Sequence, residues 1–590
     1  MPNKTDRYFL IIPPVIAAAS ALSISAGTDG LPIDDAYIFS RYASNLAHGL
    51  GYSFNPHEIS FGVTSFFWTV INAAFLKIFP GATFQMTSHA IGIGCFVLLT
   101  VLVESWILRE TDSIASAVMG AILCAVSPIS YMNAVSGMET MLFSTAVIGV
   151  LYLYRFGAIK KPFLMGLAAG AVFTIRPEGL YPAAAILFLE LWIAVRCKDV
   201  SATRRLPLFI LGFLLLAGPL EAFMKLNGPG WMPATYYGKL TSAGGCGKPG
   251  ILIAAIKVLN YMLKGHMRLM APYALAGGIA WAVAAFWAMN AALKMLLMRA
   301  SGKIPGAARV TTVLTLVFAS LLVQLWRMGD LSFFKALLCL GIVITWLFIF
   351  ISLLFHIRRA GRIENDNVNE ARGDAALAGL MILPAVYGIA FRAGPLFGGY
   401  YIRYLAVMVP AFWILAAKGA KVLFNDNRRA INAGMCIMLL YSLLLAGIAF
   451  QEQRAVYKRE IALNEGLRTR AAEWIRDNTP ENAEVMVGYT GLGVVGSRCG
   501  RYVLDLGALI NPDIIAYYRN APCGPAGRWD RTVAYMKDRG VSYYITVHGP
   551  PTDPHANPAG TEGFSRVAEI SEPAVAGSVY KITIWRVQPK

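Results

Sequence analysis

Apolar residues fall in long runs along this chain, separated by short stretches rich in arginine and lysine. A helix needs about 20 such residues to cross the hydrocarbon core of a bilayer, where only helices or closed barrels satisfy their own backbone polar groups. The pattern predicts spans at 8–26, 86–108, 114–131, 140–154, 162–175, 180–195, 206–225, 269–292, 310–327, 333–355, 375–391, 402–417 and 431–450. Basic loops lie between them: RETDS at Arg109, RFGAIKK from Arg155, CKDVSATRR at 197–205, MRASGK from Met298, HIRRAGR from His356, and KGAK through NDNRR. With all of these loops in the cytoplasm the segments alternate without contradiction, as the bias of positive loops towards that side requires. The segments then left outside are 27–60, VSGMET around 137–140, IRPEGL at 175–180, GPGWMPATYYGKL at 228–240, FRAGPLFGGYYIRY at 391–404 and everything beyond 450.

Three stretches depart from simple alternation. MPNKTDR followed by YFLIIPPVIAAASALSISAG has the shape of a secretory signal. Its apolar part is longer than a signal core and more spans come after it, so it reads as a retained first helix with its basic end in the cytoplasm. The run FGVTSFFWTVINAAFLKIF, 61–79, would place Arg109 outside if it crossed the membrane. It is expected to lie along the outer interface or to re-enter from that side, a depth that suits Trp68 and its aromatic neighbours. The segment 251–268 mixes apolar residues with Lys257, Lys264 and Arg268, and reads either as an amphipathic interfacial helix or as a surface helix leading into the next span.

The pattern changes near Glu452. AVYKREIALNEGLRTRAAEWIRDNTP predicts a helix ending before Pro480; AEVMVGY, RYVLDLGALI, VSYYITVHG and SVYKITIWRV predict strands, and RWDRTVAYMKDRG a helix. The expected architecture is therefore a polytopic α-helical membrane domain over 1–450 with about 13 transmembrane helices, followed by a soluble α/β domain over 451–590.

Composition agrees with this reading. The 590 residues are 56% hydrophobic and only 15% charged, more apolar surface than a soluble chain hides. A net charge of +18 would suggest nucleic acid, but most of the excess lies in short loops, where it sets membrane orientation instead of binding phosphates. Of eight cysteines, Cys95, Cys124, Cys339 and Cys436 lie in apolar runs. No CxxC pair supports a structural zinc site. Cys499 and Cys523 form a disulfide or stay as two free thiols, and the sequence leaves both open. GYTGLGVVG carries Gly491-x-Gly493-x-x-Gly496 after a predicted strand, the spacing of a dinucleotide fingerprint. The residues after Gly496 are strand-like, the next acid, Asp505, comes too early for a ribose partner, and the domain is expected outside the cytoplasm, so a plain glycine turn is the better reading.

The polar residues expected outside suggest chemistry at a membrane surface. Asp34 and Asp35 stand together at the start of a short predicted helix ending near Gly49. Capping accounts for one of them. Two neighbouring carboxylates repel, so one is more readily protonated, as suits a general base acting on a hydroxyl. Asp34, Ile38, Arg41 and Asn45 share a helix face, with His48 just beyond. On the same side come Glu139, Arg176 with Glu178, Tyr236 and Tyr237 with Lys239, and Tyr400 and Tyr401 with Arg403. Arginine and lysine there are natural ligands of a lipid phosphate.

The combination DDAYI–RYA–N–G–G–FN at 34–55, TSFFW at 64–68, GMET at 137–140, RPEG at 176–179 and RYL–P at 403–410 resembles the integral-membrane GT-C glycosyltransferases, and among them the group of the mycobacterial terminal arabinofuranosyltransferase. The tail WIRDNTPENAEVMVGYTGLG–VLDLGALI resembles the soluble domain that often ends such proteins. The resemblance implies a multispan enzyme of the bacterial cytoplasmic membrane. Such an enzyme takes a sugar, arabinofuranose in that group, from a polyprenyl-phosphate carrier and places it on a hydroxyl of a glycan or lipid acceptor. Transfer occurs outside the cytoplasm and usually inverts the anomeric centre. By carry-over, Asp34 or Asp35 is the catalytic acid, and holds a divalent metal if one is used; no other cofactor is implied. Arg176, Lys239 and Arg403 are expected phosphate ligands, and Arg41, Asn45, His48, Glu58, Thr64, Ser65, Glu139, Glu178, Tyr236, Tyr237 and Tyr401 further substrate contacts. FGVTS at 61–65 departs from the family pattern, which has an acid and a glycine before Thr-Ser; Glu58 stands nearby. Rival readings are a lipid-linked sugar transporter or flippase, and a non-catalytic envelope assembly factor.

Overall fold

The apolar runs fold as helices, several begun by the hydroxyl residue that precedes them. The computed structural model describes residues 5–157, 161–197, 200–228, 406–423, 427–488, 491–519, 525–548, 558–571 and 580–588, with 230, 231, 233, 234, 237, 373–377, 379, 380, 403 and 404 between them. Helix α1 covers Ile12–Ser25, and α2 covers Asp34–Ala47. Ser65 caps α3 (Phe66–Ile78), Thr83 caps α4 (Phe84–Thr111) and Ser113 caps α5 (Ile114–Ala125), each accepting a backbone N–H of the first turn. After these come α6 (Pro128–Ala134), α7 (Thr140–Phe156), α8 (Pro162–Ile175), α9 (Leu180–Cys197), α10 (Val200–Asn227), α11 (Met408–Leu423) and α12 (Arg428–Ala462).

Four helical stretches among the described residues are long and apolar enough to cross a membrane: Tyr8–Ser25, Phe84–Thr111, Pro177–Val195 and Arg204–Asn227. α5 and α6 pass the same test only when taken together, as a broken span or a re-entrant loop bent by 61° just before Pro128. The predicted spans 269–292, 310–327 and 333–355, most of 375–391, and the amphipathic segment 251–268 lie outside the described residues, so the expected count of 13 stays a sequence reading. α3 has 13 residues and rises about 20 Å, short of the roughly 30 Å core. Trp68 on this helix is fully buried among protein, and its ring N–H donates to Gly137 O at 3.1 Å.

α8 and α10 touch backbone to backbone. A Cβ on Gly166 would lie 2.0 Å from Phe209 O, and one on Gly212 would lie 2.2 Å from Phe163 O. The two glycines let the helices approach as membrane helices do when little else draws them together.

Charge is sorted to the two ends of α7. At its C-terminal end Arg155 pairs with Glu110 (3.0 Å), which also pairs with Lys418 (3.1 Å), and Lys418 reaches Asp374 at 2.6 Å. Three of the predicted cytoplasmic loops, after α4, α7 and α11, thus meet at one end of the bundle.

α12 opens on Arg428 and Arg429, runs through an apolar stretch and continues as the polar QEQRAVYKRE, joining the helical region to the C-terminal domain as one 35-residue helix. A π-type turn, Leu463–Arg468, leads into α13 (Thr469–Asn478). The domain holds β1 (Glu484–Val487), β2 (Tyr502–Asp505), β3 (Tyr543–His548), β4 (Phe564–Ser571) and β5 (Lys581–Val587) in the order β2-β1-β3-β5-β4. The first three are parallel and the last two antiparallel, with α14 (Ile514–Arg519) and α15 (Pro525–Arg539) inserted before β3. Val485, Met486 and Val487 are all buried, as expected of a central strand covered on both faces.

Candidate functional site

α2 opens directly at the aspartate pair. Its capping position is Ile33, with no side-chain cap bond, so neither aspartate caps the helix. Successive helical residues point about 100° apart, and the two carboxylates go to different partners. Asp34 is buried and faces the C-terminal domain. Its Oδ2 accepts the N–H groups of Gly491 and Gly493, both at 3.1 Å, and its Oδ1 accepts that of Val494 at 3.0 Å. Asp35 keeps 34% of its side chain exposed, and its Oδ2 accepts from Arg403 at 3.1 Å.

Arg403 leads into a second cluster. Its guanidinium lies 5.5 Å from the centre of the Tyr404 ring, and Arg176 lies 5.2 Å from the same ring. Arg176 follows the last turn of α8 in extended conformation, ahead of the tight turn Pro177–Gly179. It grips Glu178 through two nitrogens, at 2.8 and 3.2 Å, and Glu139 through a third. Burial opposes the charge on Arg176; the Glu178 and Glu139 carboxylates outweigh it and hold the guanidinium well above the ordinary arginine value. Glu139 immediately precedes α7 and is fully buried. Its Oε2 has no hydrogen-bond partner among the described residues. Such an atom loses about 1–3 kcal/mol of solvation, which an incoming hydroxyl donor would restore.

Asp35, Glu139, Arg176, Glu178 and Arg403 thus come together, at the opposite end of α7 from the basic cluster. The other predicted contacts stand apart from this group. Arg41 donates to Phe54 O (3.1 Å), and Asn45 to Ser53 O and Phe54 O (both 2.9 Å), folding residues 50–55 back onto α2. His48 is exposed, with Nδ1 2.8 Å from Ser44 O. Glu58 accepts from Tyr502 at 2.6 Å. Thr64 is half-buried, and Ser65 serves as the α3 cap. Tyr237 packs against the core of the C-terminal domain. Tyr236, Lys239, Tyr401 and Cys523 lie outside the described residues. Cys499 is a buried free thiol.

Tyr404 and Asn55 were not singled out by sequence reasoning, though both sit inside the quoted motifs RYL and FN. Asn55 acts as an added strand residue: its side chain donates to Val503 O (2.9 Å) and accepts from Val503 N (3.1 Å) on the edge strand β2. Asn464 likewise donates to Leu31 O at 2.7 Å.

A divalent metal does not fit the described donor set. Both Asp34 oxygens are taken by backbone N–H groups and Asp35 faces a guanidinium. Among the described residues no three His, Cys, Asp or Glu side chains converge as metal ligands.

A family model described as a domain of unknown function (DUF8728) matches residues 455–585. No curated protein matches the chain. Among solved structures, ArnT from Cupriavidus metallidurans bound to undecaprenyl phosphate is similar at 12% identity, with 98% of this chain and 97% of that chain covered and a TM-score of 0.46. The Archaeoglobus fulgidus oligosaccharyltransferase tethered with an acceptor peptide is similar at 13% identity over 91% of this chain and 69% of that one, with a TM-score of 0.48. Scores this low describe a general likeness in the course of the chain. A function for this protein has to rest on its own residues.

Proposed function

We propose that the protein is an integral-membrane glycosyltransferase of the GT-C kind, moving a sugar from a polyprenyl-phosphate carrier to a hydroxyl of a cell-envelope glycan on the extracytoplasmic side. The observation that carries this reading is the pairing of a partly exposed carboxylate, Asp35, with a buried arginine pair assembled around Tyr404 at one end of the helical bundle. The motifs that resemble the arabinofuranosyltransferase group make arabinofuranose the first donor to test.

The chemistry asks for a base and an anion site, and no protein nucleophile. Asp35 takes the proton of the acceptor hydroxyl. The acceptor oxygen bonds to the anomeric carbon as the bond from that carbon to the phosphate oxygen breaks. The electron pair leaves with polyprenyl phosphate, and one displacement inverts the centre. Arg403 is placed to turn from Asp35 to the arriving phosphate, which frees the carboxylate and sets a cation beside the leaving group. Arg176, fixed by Glu139 and Glu178, holds Tyr404 and adds its field, while the unpartnered Glu139 oxygen is offered to a sugar hydroxyl.

The test is release of carrier phosphate from short-chain polyprenyl-phosphate arabinofuranose by purified protein, with and without an oligosaccharide acceptor. Acceptor-dependent release that falls about a hundred- to ten-thousandfold in Asp35→Asn is expected, since a positioned general base contributes about 10²–10⁴. Full activity in that variant removes Asp35 from the chemistry. Donor binding without release across a panel of sugars would favour the transporter reading instead.

A further inference from the structure

The glycine stretch that imitates a dinucleotide site is occupied by this protein's own side chain. Gly491, Gly493 and Val494 aim three N–H groups of one turn at the Asp34 carboxylate, all within 3.1 Å. Backbone nests of this sort bind anions. Two features of the loop are built for the contact. Gly491 has φ of +116°, a conformation that side chains rarely adopt. A Cβ on Gly493 would lie 1.8 Å from the backbone oxygen of Asp34 and 3.0 Å from its Cγ.

We infer that this loop of the C-terminal domain is the positioning device of the proposed transferase, with Asp34 as a positioning residue, not the base. The inference rests on the reading of Asp35 as the base. Asp34 is the first residue of α2 and Asp35 the second, so a carboxylate clamped at Asp34 fixes where the neighbouring carboxylate stands relative to Arg403. Other contacts with the same domain hold the segment further along. Tyr37 donates to Glu465, which Arg498 also grips at 2.6 and 3.0 Å, and Asn55 pairs with the edge of β2. The C-terminal domain thereby completes the catalytic loop without supplying a reacting group.

The experiment uses the full-length protein in lipid nanodiscs and compares native, Asp34→Asn, Gly493→Ala and Asp35→Asn. Amide hydrogen exchange over 491–494 is read beside the kinetics of carrier-phosphate release. Asp34→Asn and Gly493→Ala are each expected to lower kcat about ten- to a hundredfold at near-native KM, the scale of a displacement of about 1 Å at a reacting group. Both should retain an acid limb in the pH–rate profile, because the base itself is still present. Exchange over 491–494 should be faster in Asp34→Asn than in the native protein. Loss of that acid limb in Asp34→Asn alone, or native kcat in Gly493→Ala, overturns the inference, as does unchanged exchange in Asp34→Asn. Full activity in Asp35→Asn would instead sink the assignment of the base, and the exchange measurement would still decide the Asp34 contact by itself.

Discussion

At the scale of single residues the sequence marked the aspartate pair as chemically unusual but could not divide its labour. The division depends on Gly491, Gly493 and Val494, which lie more than 450 positions along the chain from Asp34. No local pattern reports such a partner. The same limit applies to Arg41 and Asn45, whose side chains donate to carbonyls of residues 53 and 54, partners that their shared helix face does not announce. Asp505, dismissed in the sequence as a ribose partner, caps the loop after β2, accepting N–H groups from Leu509 and Ile510 at 2.9 Å. Burial pushes its carboxyl from 3.8 up to about 6, against the pull of those N–H groups. A raised folded-state value means that the neutral form suits the fold. The stabilisation is full below pH 3.8 and lost as pH rises through about 6. Relative to an Asp505→Asn variant, the native protein should therefore gain stability as pH falls from 7 through 5, by about 2 kcal/mol at pH 4. Thermal unfolding at several pH values checks this; a constant difference would mean that Asp505 stays ionised when folded.

At the scale of elements, legibility follows how locally an element is determined. α2 was expected from the aspartates to Gly49 and runs Asp34–Ala47, because its periodicity and glycine stop both lie within the segment. β1, β2, β3 and β5 were read from their apolar content. β4 escaped because FSRVAEIS is polar on the face it shows to solvent, and its strand character comes from pairing with β5 at the sheet edge. The burial of Trp68 arises from packing against the loop at Gly137, a partner about 70 positions away that composition does not report. The contact of α8 with α10 was likewise not read from glycine spacing, since the two glycines lie 46 positions apart in sequence. Gly166→Leu should open that contact, because a first side-chain carbon already falls 2.0 Å from a carbonyl oxygen. The expected cost is at least about 1–3 kcal/mol, the range for overpacked sites. It should appear as a lower unfolding temperature in detergent, with Gly218→Leu, where no atom lies within 4 Å of the added carbon, as the tolerated comparison.

At the scale of the whole molecule, α12 connects membrane and domain. It carries the chain from the predicted cytoplasmic loop NDNRR to the domain that holds Asp34 and Asn55. A length of about 50 Å is enough to cross a bilayer and emerge beyond it. The proposed function requires Asp35, the arginine pair and the sheet to share the outer side, with Glu110, Arg155 and Lys418 at the inner end. Cysteines placed at either end of this connection test that requirement. Asn427→Cys and Asn482→Cys both replace exposed residues, the first just before α12 and the second just before β1. In intact cells a membrane-impermeant maleimide should label Asn482→Cys above the background of the native cysteines, and should reach Asn427→Cys only after permeabilisation. The reverse pattern would turn the site towards the cytoplasm, where a polyprenyl-phosphate sugar would have to be presented from the other leaflet. Labelling of both in intact cells would break the alternation on which the basic loops were assigned, and with it the threading of α12 through the membrane.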